Sequence, residues 1–476
     1  MYLQPGSHVH LIAACGTAMG SLAGMLRERG YRVTGSDTHV YPPMSTFLRE
    51  LGVEVGEGFD PARLIPAPDL VVVGNAVSRG NPEVEETLSR RLRYASLPEV
   101  LRELFLRGRR PVVVTGTHGK TTTTAMTAHL LVQGNLDPSF LVAGIPKDFS
   151  HPYRLGSGDL FVVEGDEYDS AFFAKHAKFF YYLPQILIVN NLEFDHADIY
   201  ADLGEIEKAF RQLINIVPAN GLLLAHHGDP VVAALLPGSF APVETFGLEA
   251  GACWLAEAVT TTATGIAFRL RHHGDLVGDF HLPLHGEYNV RNALAALAVG
   301  FHAGLEPDRL RRALGSFSGV KRRQEVVGQV AGITLIDDFA HHPTAVEATL
   351  KGVRQTRPDG RLWAVFEPAS ATNARALFEE RYARAFAAVD RFIIARVPRP
   401  ERARGDAPFS PERLAEAVRR LGGRAEFFPE VEEIIAAVAA EARPGDTVVF
   451  MSNGGFGGIQ GRLLAALRQR HGSEAA

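Results

Sequence analysis

Val112-Val-Val-Thr-Gly-Thr-His-Gly-Lys-Thr-Thr-Thr-Thr124 is the stretch that decides how this chain reads. A β-branched run feeds a glycine turn, and Gly119-Lys120-Thr121 opens a helix, the local order of a phosphate-binding loop. Backbone N–H groups at such a helix start can cradle phosphate oxygens, and the Lys120 ammonium can reach the terminal phosphates. The Thr121 hydroxyl is then placed to ligate Mg²⁺. The standard pattern begins on an earlier glycine, whereas here Thr115 precedes Gly116, so the loop is a variant. A glycine turn without function is the plain alternative, but Gly-Lys-Thr directly after a four-residue β run favours nucleotide binding.

Outward from this loop the chain alternates strand and helix patterns. Upstream, His8–Ala13, Tyr31–Gly35 and Leu70–Gly74 read as strands, with helices from about Met19, over Pro43–Leu51 and through Arg107. Downstream come strands Leu160–Glu164 and Gln185–Asn190 and a helix-rich segment, Asn289–Leu314. From Ile333 the alternation resumes, with strands Ile333–Asp337, Leu362–Phe366, Arg391–Ala395 and Thr447–Met451. This order means βαβ units on parallel sheets. The charged stretch Arg107-Gly-Arg-Arg110 marks one boundary, and Gly315–Val330, with its cluster Lys321-Arg-Arg323, reads as a second linker. The chain has 476 residues, consistent with about three domains of roughly 150 residues each.

Composition narrows the function. With 46% apolar and 22% charged residues the chain is an ordinary globular protein. A net charge of −5 gives no reason to expect nucleic acid or an anionic membrane as partner. Two cysteines, Cys15 and Cys253, cannot form a disulfide framework and favour a reducing compartment. The N-terminus lacks a charged n-region and a long apolar stretch, and runs such as Ile186-Leu-Ile-Val189 are strand-sized, so export and membrane insertion are not expected. A cytoplasmic location follows as an expectation.

Three further segments carry candidate chemistry. Phe161-Val-Val-Glu-Gly-Asp-Glu-Tyr-Asp169 sets four carboxylates just past a strand end, where ligands collect on open α/β sheets. Glu164 is a candidate hard-oxygen ligand for Mg²⁺, and a solvated acidic loop is the equal alternative. Strand Gln185–Asn190 runs into Asn191-Leu-Glu-Phe-Asp-His196, whose lone histidine is by itself most simply structural. Cys15-Gly-Thr-Ala-Met-Gly20 follows a strand and is trailed by Asp37, near a dinucleotide fingerprint, but its Gly-x-x-x-Gly spacing lacks the middle glycine. From the residues alone a tight turn and a phosphate site are equally open. Cys15 reads as a packed small residue, and His226-His227 and His272-His273 as surface residues.

Thr115-Gly-Thr-His-Gly-Lys-Thr-Thr-Thr123, the Glu164 segment, Asn190-Asn-Leu-Glu-Phe-Asp-His196 and Gly286-Glu-Tyr-Asn-Val-Arg-Asn292 occur in the order found in Mur ligases, which the chain resembles over essentially its whole length. These enzymes use ATP to join an amino acid or peptide to a UDP-muramoyl carboxylate. Gly35-Ser-Asp37, Val40-Tyr-Pro-Pro-Met-Ser-Thr46, Asp166-Glu-Tyr-Asp-Ser-Ala-Phe-Phe173 and Met451-Ser-Asn-Gly-Gly-Phe-Gly-Gly458 most resemble one branch. Its members attach L-Ala-γ-D-Glu-meso-diaminopimelate to UDP-N-acetylmuramate in cell-wall recycling. The fold so implied is α/β in three domains: a Rossmann-like substrate domain over 1–108, a central P-loop ATPase domain over 109–324, and a Rossmann-like domain over 325–476 that closes on ATP and binds peptide.

The resemblance also implies roles. Gly116, Thr117, His118, Gly119, Lys120, Thr121 and Thr122 would surround ATP, with Asn289 and Asn292 reading adenine, Arg323 meeting the γ-phosphate and Asp337 the ribose. Thr121 and Glu164 would hold Mg²⁺, and His196 with Glu164 a second ion; imidazole is softer than Mg²⁺ prefers, so that site also suits Mn²⁺. Lys120, Glu164, His196 and Arg323 would carry catalysis. Gly16, Thr17, Ala18, Met19, Asp37, Asn75 and Ser78 would bind the UDP-sugar, and His341 and Asn453 would line the cleft toward the peptide. A monomer is expected. Departures are Tyr288, where the family usually has histidine, and Ala369, where the recycling branch usually has arginine. Arg211 stands fifteen residues past His196, and Lys208 matches a lysine left unmodified in the L-alanine-adding branch, so no carbamylated lysine is expected. The rivals are the L-alanine-adding ligase and, in another class, a P-loop regulator.

Overall fold

The computed structural model describes residues 3–41, 44–370, 372–402 and 407–473. Pro42 and Pro43, within the Val40–Thr46 segment above, lie outside the described residues. Among the described residues three large sheets are covered by helices, as three α/β domains require, and strands Asp169–Ala171 and Ala174–Ala177 form a separate two-stranded sheet.

The first sheet holds five parallel strands in the order Glu54–Glu57, Arg32–Asp37, His8–Ile12, Leu70–Val73 and Tyr94–Ser96. Chain order reverses between His8–Ile12 and Leu70–Val73, which creates a crevice at their C-terminal ends. The turn at 13–16 and the segment after Val73 flank that crevice.

In the ten-stranded central sheet, Arg110–Thr115 lies between Ile186–Val189 and Leu160–Glu164, parallel to both. Val112 and Val114 enter one core with Ala125, Met126 and Leu130, while Val113 enters another with Phe161, Val163 and Leu187. Burial on both faces explains the unbroken apolar run, which an alternating half-exposed strand would not show. The chain beyond Leu222 adds an antiparallel extension, Trp254–Thr262, Gly265–His272 and Asp275–Leu282, that the sequence reading left without strands.

The third sheet has six strands in the order Glu325–Val330, Ile333–Asp338, Thr447–Met451, Leu362–Phe366, Arg391–Ile394 and Ala425–Phe427. Glu325–Val330 pairs antiparallel with Ile333–Asp338. The stretch 315–330, read as a linker, therefore divides: helix Pro307–Gly315 ends at its start, and its last six residues are an edge strand. Between them lie residues 316–324, of which 319–321 are tied back to the central domain, the Lys147 and Lys321 amides donating to the Gly319 and Ile145 carbonyls at 2.9 Å each.

Candidate active site

Because three parallel strands end side by side, the segments after Thr115, Glu164 and Val189 emerge together. Gly116, at φ 120°, leaves no room for a side chain: a Cβ would lie 2.8 Å from the Asn191 carbonyl oxygen. Gly119 caps helix Lys120–Gln133 at φ 81°, and a Cβ there would lie 2.5 Å from Asn292 Oδ1. Both positions need glycine for conformation and for space. The turn is held from behind by the next strand end, where the Thr117 amide donates to the Asn191 carbonyl at 2.9 Å and the His118 amide to Asn191 Oδ1 at 2.8 Å.

Inside this frame the charges are paired. Lys120 Nζ donates to both Glu167 carboxylate oxygens, at 2.7 and 2.9 Å, and to the Gly116 carbonyl at 2.7 Å. His196 Nε2 lies 2.9 Å from Glu167 Oε1, and its ring packs on Tyr168 with centroids 4.1 Å apart. Burial opposes the charged forms of Lys120 and His196, but Glu167 overrides it and holds both pKa values above their ordinary range. His196 sits at φ 56°, a backbone conformation uncommon outside glycine and frequent at functional sites. Asp166 is ion-paired to Lys178 at 2.7 Å, and the Lys178 and Lys120 charges hold its carboxyl low despite burial.

Thr121 Oγ1 donates to Glu164 Oε1 at 3.0 Å, and Arg323 Nη2 reaches the same hydroxyl at 3.4 Å from the interdomain connection. Burial pushes the Glu164 carboxyl up, although Lys120 and Arg323 pull against it. Arg323 also lies 4.7 Å over the Phe339 ring. Glu164 and His196, expected to share an ion, have different neighbours: the donor atoms within 4.8 Å of one another are those of Asp166, Glu167 and His196. The carboxylate beside the histidine is Glu167, three residues past the strand end.

Asn289 and Asn292 are buried on helix Glu287–His302 behind the turn. Asn289 Nδ2 donates to the His285 carbonyl at 2.7 Å, and Asn292 Nδ2 to Asn289 Oδ1 at 3.2 Å. Tyr288, the departure from the family histidine, is half-buried and accepts from Gln324 Nε2 at 2.6 Å. Asp337 and Asp338 point to opposite faces of their strand. Asp337 is held by Gln460 and Arg322, at 3.0 and 3.3 Å, whereas Asp338 accepts from the Gln324 amide at 2.7 Å. Both aspartates therefore meet the arginine-bearing connection, Asp337 through Arg322 and Asp338, which the sequence reading passed over, through the Gln324 amide.

The third domain grips the segment past strand Ile186–Val189. Thr372 Oγ1 donates to Asp195 Oδ1 at 2.8 Å, and Thr344 Oγ1 donates to Glu193 Oε2 at 2.6 Å. Arg381 pairs with Glu193 at 3.4 Å, and the His118 and His342 rings lie 4.8 Å apart. His341 Nε2 is 3.9 Å from Asp195, and burial lowers its pKa to about 4, so it is neutral near pH 7. The turn after Met451 is anchored by Arg322, which donates to the Ser452 and Gly454 carbonyls at 2.7 Å. Asn453 Oδ1 there is buried with no hydrogen-bond partner.

In the first domain Gly16, Thr17 and Ala18 are exposed at the start of helix Thr17–Glu28, and Asn75 and Ser78 are exposed beyond Val73. Two expected ligands differ. The Met19 side chain is buried in the core, so it can offer only its backbone to a ligand. Asp37 is buried and accepts from the Cys15 and His39 amides at 2.9 and 3.1 Å. His272 is likewise no free surface residue, since its ring stacks on the buried Trp254 at 3.8 Å. Lys208 and Arg211 are exposed on helix Leu203–Asn215.

Fold and site together define a P-loop protein of three α/β domains, with the turn, two neighbouring strand ends and an interdomain arginine facing one point. Residues 8–109 match the Mur ligase family catalytic domain, 114–300 the Mur ligase middle domain, and 322–454 the Mur ligase glutamate ligase domain. The chain is 41% identical to the UDP-N-acetylmuramate–L-alanyl-γ-D-glutamyl-meso-2,6-diaminoheptandioate ligase of Haemophilus influenzae, over 97% of this chain and 99% of that one. It is 35% identical to the UDP-N-acetylmuramate–L-alanine ligase of Symbiobacterium thermophilum, over 97% and 95%. The crystal structure of a murein peptide ligase from Psychrobacter arcticus matches with a TM-score of 0.74 at 36% identity, over 97% of this chain and 99% of that one. The chain belongs to the Mur ligase family.

Proposed function

We propose that this protein is an ATP-dependent ligase that joins L-Ala-γ-D-Glu-meso-diaminopimelate to the carboxylate of UDP-N-acetylmuramate, as in peptidoglycan recycling. The observation that carries the reading is the meeting of Lys120, Glu164, Glu167 and His196 at three adjacent strand ends, with Arg323 reaching Thr121 from the interdomain connection. A regulator using the loop as a switch has no need of the second and third strand ends.

A carboxylate is a poor electrophile and must be activated before an amine attacks it. The muramoyl carboxylate oxygen attacks the γ-phosphorus of ATP, and the bond to the ADP oxygen breaks, giving an acyl phosphate. The peptide amine then adds to the acyl carbon, loses a proton and expels phosphate. Lys120 and Arg323 spread the charge of the first step, which depends on positioning and electrostatics and needs no protein nucleophile. Contacts of Asp195 and Glu193 with Thr372, Thr344 and Arg381 bring the third domain over the site, excluding water that would hydrolyse the acyl phosphate.

The donor set suits divalent cations. Glu164 is a half-buried carboxylate beside a threonine hydroxyl, a hard-oxygen pair for Mg²⁺, and Asp166, Glu167 and His196 form a mixed set that also suits Mn²⁺. A cation on these residues would neutralise phosphate charge during transfer. Thr17, Asn75 and Ser78, on the crevice of the first sheet, would meet the UDP-sugar, and the unpartnered Asn453 oxygen would meet a peptide donor. Domains over 1–108, 109–324 and 325–476, a cytoplasmic monomer and no nucleic-acid or membrane partner complete the reading. Among the described residues no helix is long and apolar enough to cross a membrane. ADP release with UDP-N-acetylmuramate is expected with the tripeptide and not with L-alanine; stimulation by L-alanine alone would make this the biosynthetic ligase, and by neither, the regulator.

A further inference from the structure

At the far end of the helix that carries Asn289 and Asn292, three histidines converge on one carboxylate. Glu244 lies on strand Val243–Gly247, His272 ends strand Gly265–His272, His273 follows it, and His302 ends helix Glu287–His302. Glu244 Oε2 is 3.0 Å from His302 Nε2 and 3.5 Å from His272 Nε2, and Oε1 is 3.8 Å from His273 Nε2. We propose that Glu244, His272, His273 and His302 form a site for a zinc-type divalent transition cation, separate from the nucleotide site.

The spacing and chemistry both favour a cation. Ligands at 2.0–2.1 Å around a tetrahedral ion stand about 3.3 Å from one another; the ligand atoms of Glu244, His272 and His273 lie within 4.8 Å of one another, and His302 Nε2 joins them through Glu244 Oε2 at 3.0 Å. Imidazole nitrogen with a carboxylate oxygen selects zinc-like ions over Mg²⁺. A purely structural hydrogen-bond network explains less. Trp254 Nε1 already donates to Glu244 Oε2 at 2.5 Å, and His272 Nε2 remains buried without a hydrogen-bond partner. His272 is fixed by stacking on Trp254, whereas His273 is more than half exposed and gives the cation an entry path. His302 lies ten residues beyond Asn292, about 15 Å along the helix, so the cation would brace this helix and take no part in phosphate chemistry.

The test titrates the chelator-treated full chain with Co²⁺ and Zn²⁺, following the intense visible bands that Co²⁺ shows in tetrahedral fields. The expected result is a tetrahedral spectrum that persists in His196→Ala and is lost in His273→Gln and in the double variant His272→Gln/His302→Gln. Zn²⁺ affinity should fall at least about tenfold in both, the loss that removing even an outer-shell partner causes. His273→Gln changes an exposed side chain, so its metal-free melting midpoint and ADP-forming rate should match the wild type, while Zn²⁺ raises the midpoint of the wild type only. No tetrahedral Co²⁺ signal in the wild type, a signal lost only in His196→Ala, or unchanged Zn²⁺ binding in both site variants would each overturn the proposal. None of these readouts depends on which peptide the enzyme joins.

Discussion

Two strand–turn–helix units of this chain share a local topology and differ in everything that bears on chemistry. In the central domain the turn after Thr115 faces two other strand ends, and its lysine is locked to a buried carboxylate. In the first domain the turn after Ile12 is exposed at Gly16, Thr17 and Ala18, has no lysine and faces the uncharged Asn75 and Ser78. On the function proposed above, the contrast would separate a turn that redistributes charge during a reaction from one that offers backbone and hydroxyl groups to a bound substrate.

The sharpest way to break this contrast is to remove the cation of the central turn. Lys120→Ala should lower ADP formation by at least about 10²–10³-fold in a coupled assay, with UDP-N-acetylmuramate binding intact by calorimetry. Arg323→Ala should lower kcat by about 10²-fold with little change in KM for the UDP-sugar, since the arginine acts on charge that develops during transfer. Glu167→Gln leaves Lys120 and His196, whose side chains are only 12% and 11% exposed, without their counter-charge, so the domain should lose about 3–5 kcal/mol in denaturant unfolding. In the first domain the effects shrink. Ser78→Ala should raise KM for UDP-N-acetylmuramate by up to about tenfold and leave kcat unchanged, as loss of one hydrogen bond predicts.

The smallest effect concerns Cys15, beside the first turn. Burial and the nearby Asp37 carboxylate raise its thiol pKa to about 11, so little thiolate exists at pH 8. Maleimide should label it slowly at pH 8, more quickly as pH rises toward 11, and more quickly in Asp37→Asn at any pH below that. Equal labelling rates in wild type and variant would show that Asp37 does not govern this thiol.

How much of this was legible in the sequence follows from which groups are local. Lys120, Thr121 and Gly119 are adjacent in the chain, so their arrangement could be read before any coordinate. Parallel strands buried on both faces announce themselves as runs such as Val112–Val114. The partner of His196 could not be read this way. Glu164 sits at the strand end where ligands collect, yet the chain carries Glu167 back beneath Lys120, a contact between groups 47 residues apart. Asp337 and Asp338 are equally acidic in sequence, and only the antiparallel register that sets Glu325 opposite Asp337 decides that Gln324 meets Asp338. The edge strand Glu325–Val330 was masked by a basic cluster that looks like a linker, and the Trp254–Leu282 extension by its exposed polar positions.

The central claim is that the muramoyl carboxylate is activated by transfer of the γ-phosphoryl group, and one isotope experiment tests it directly. UDP-N-acetylmuramate carrying ¹⁸O in its carboxylate is turned over with ATP and tripeptide, and the released phosphate is analysed by mass spectrometry. The account predicts one ¹⁸O atom in each phosphate formed. Phosphate free of the label, with amide product accumulating, would contradict it.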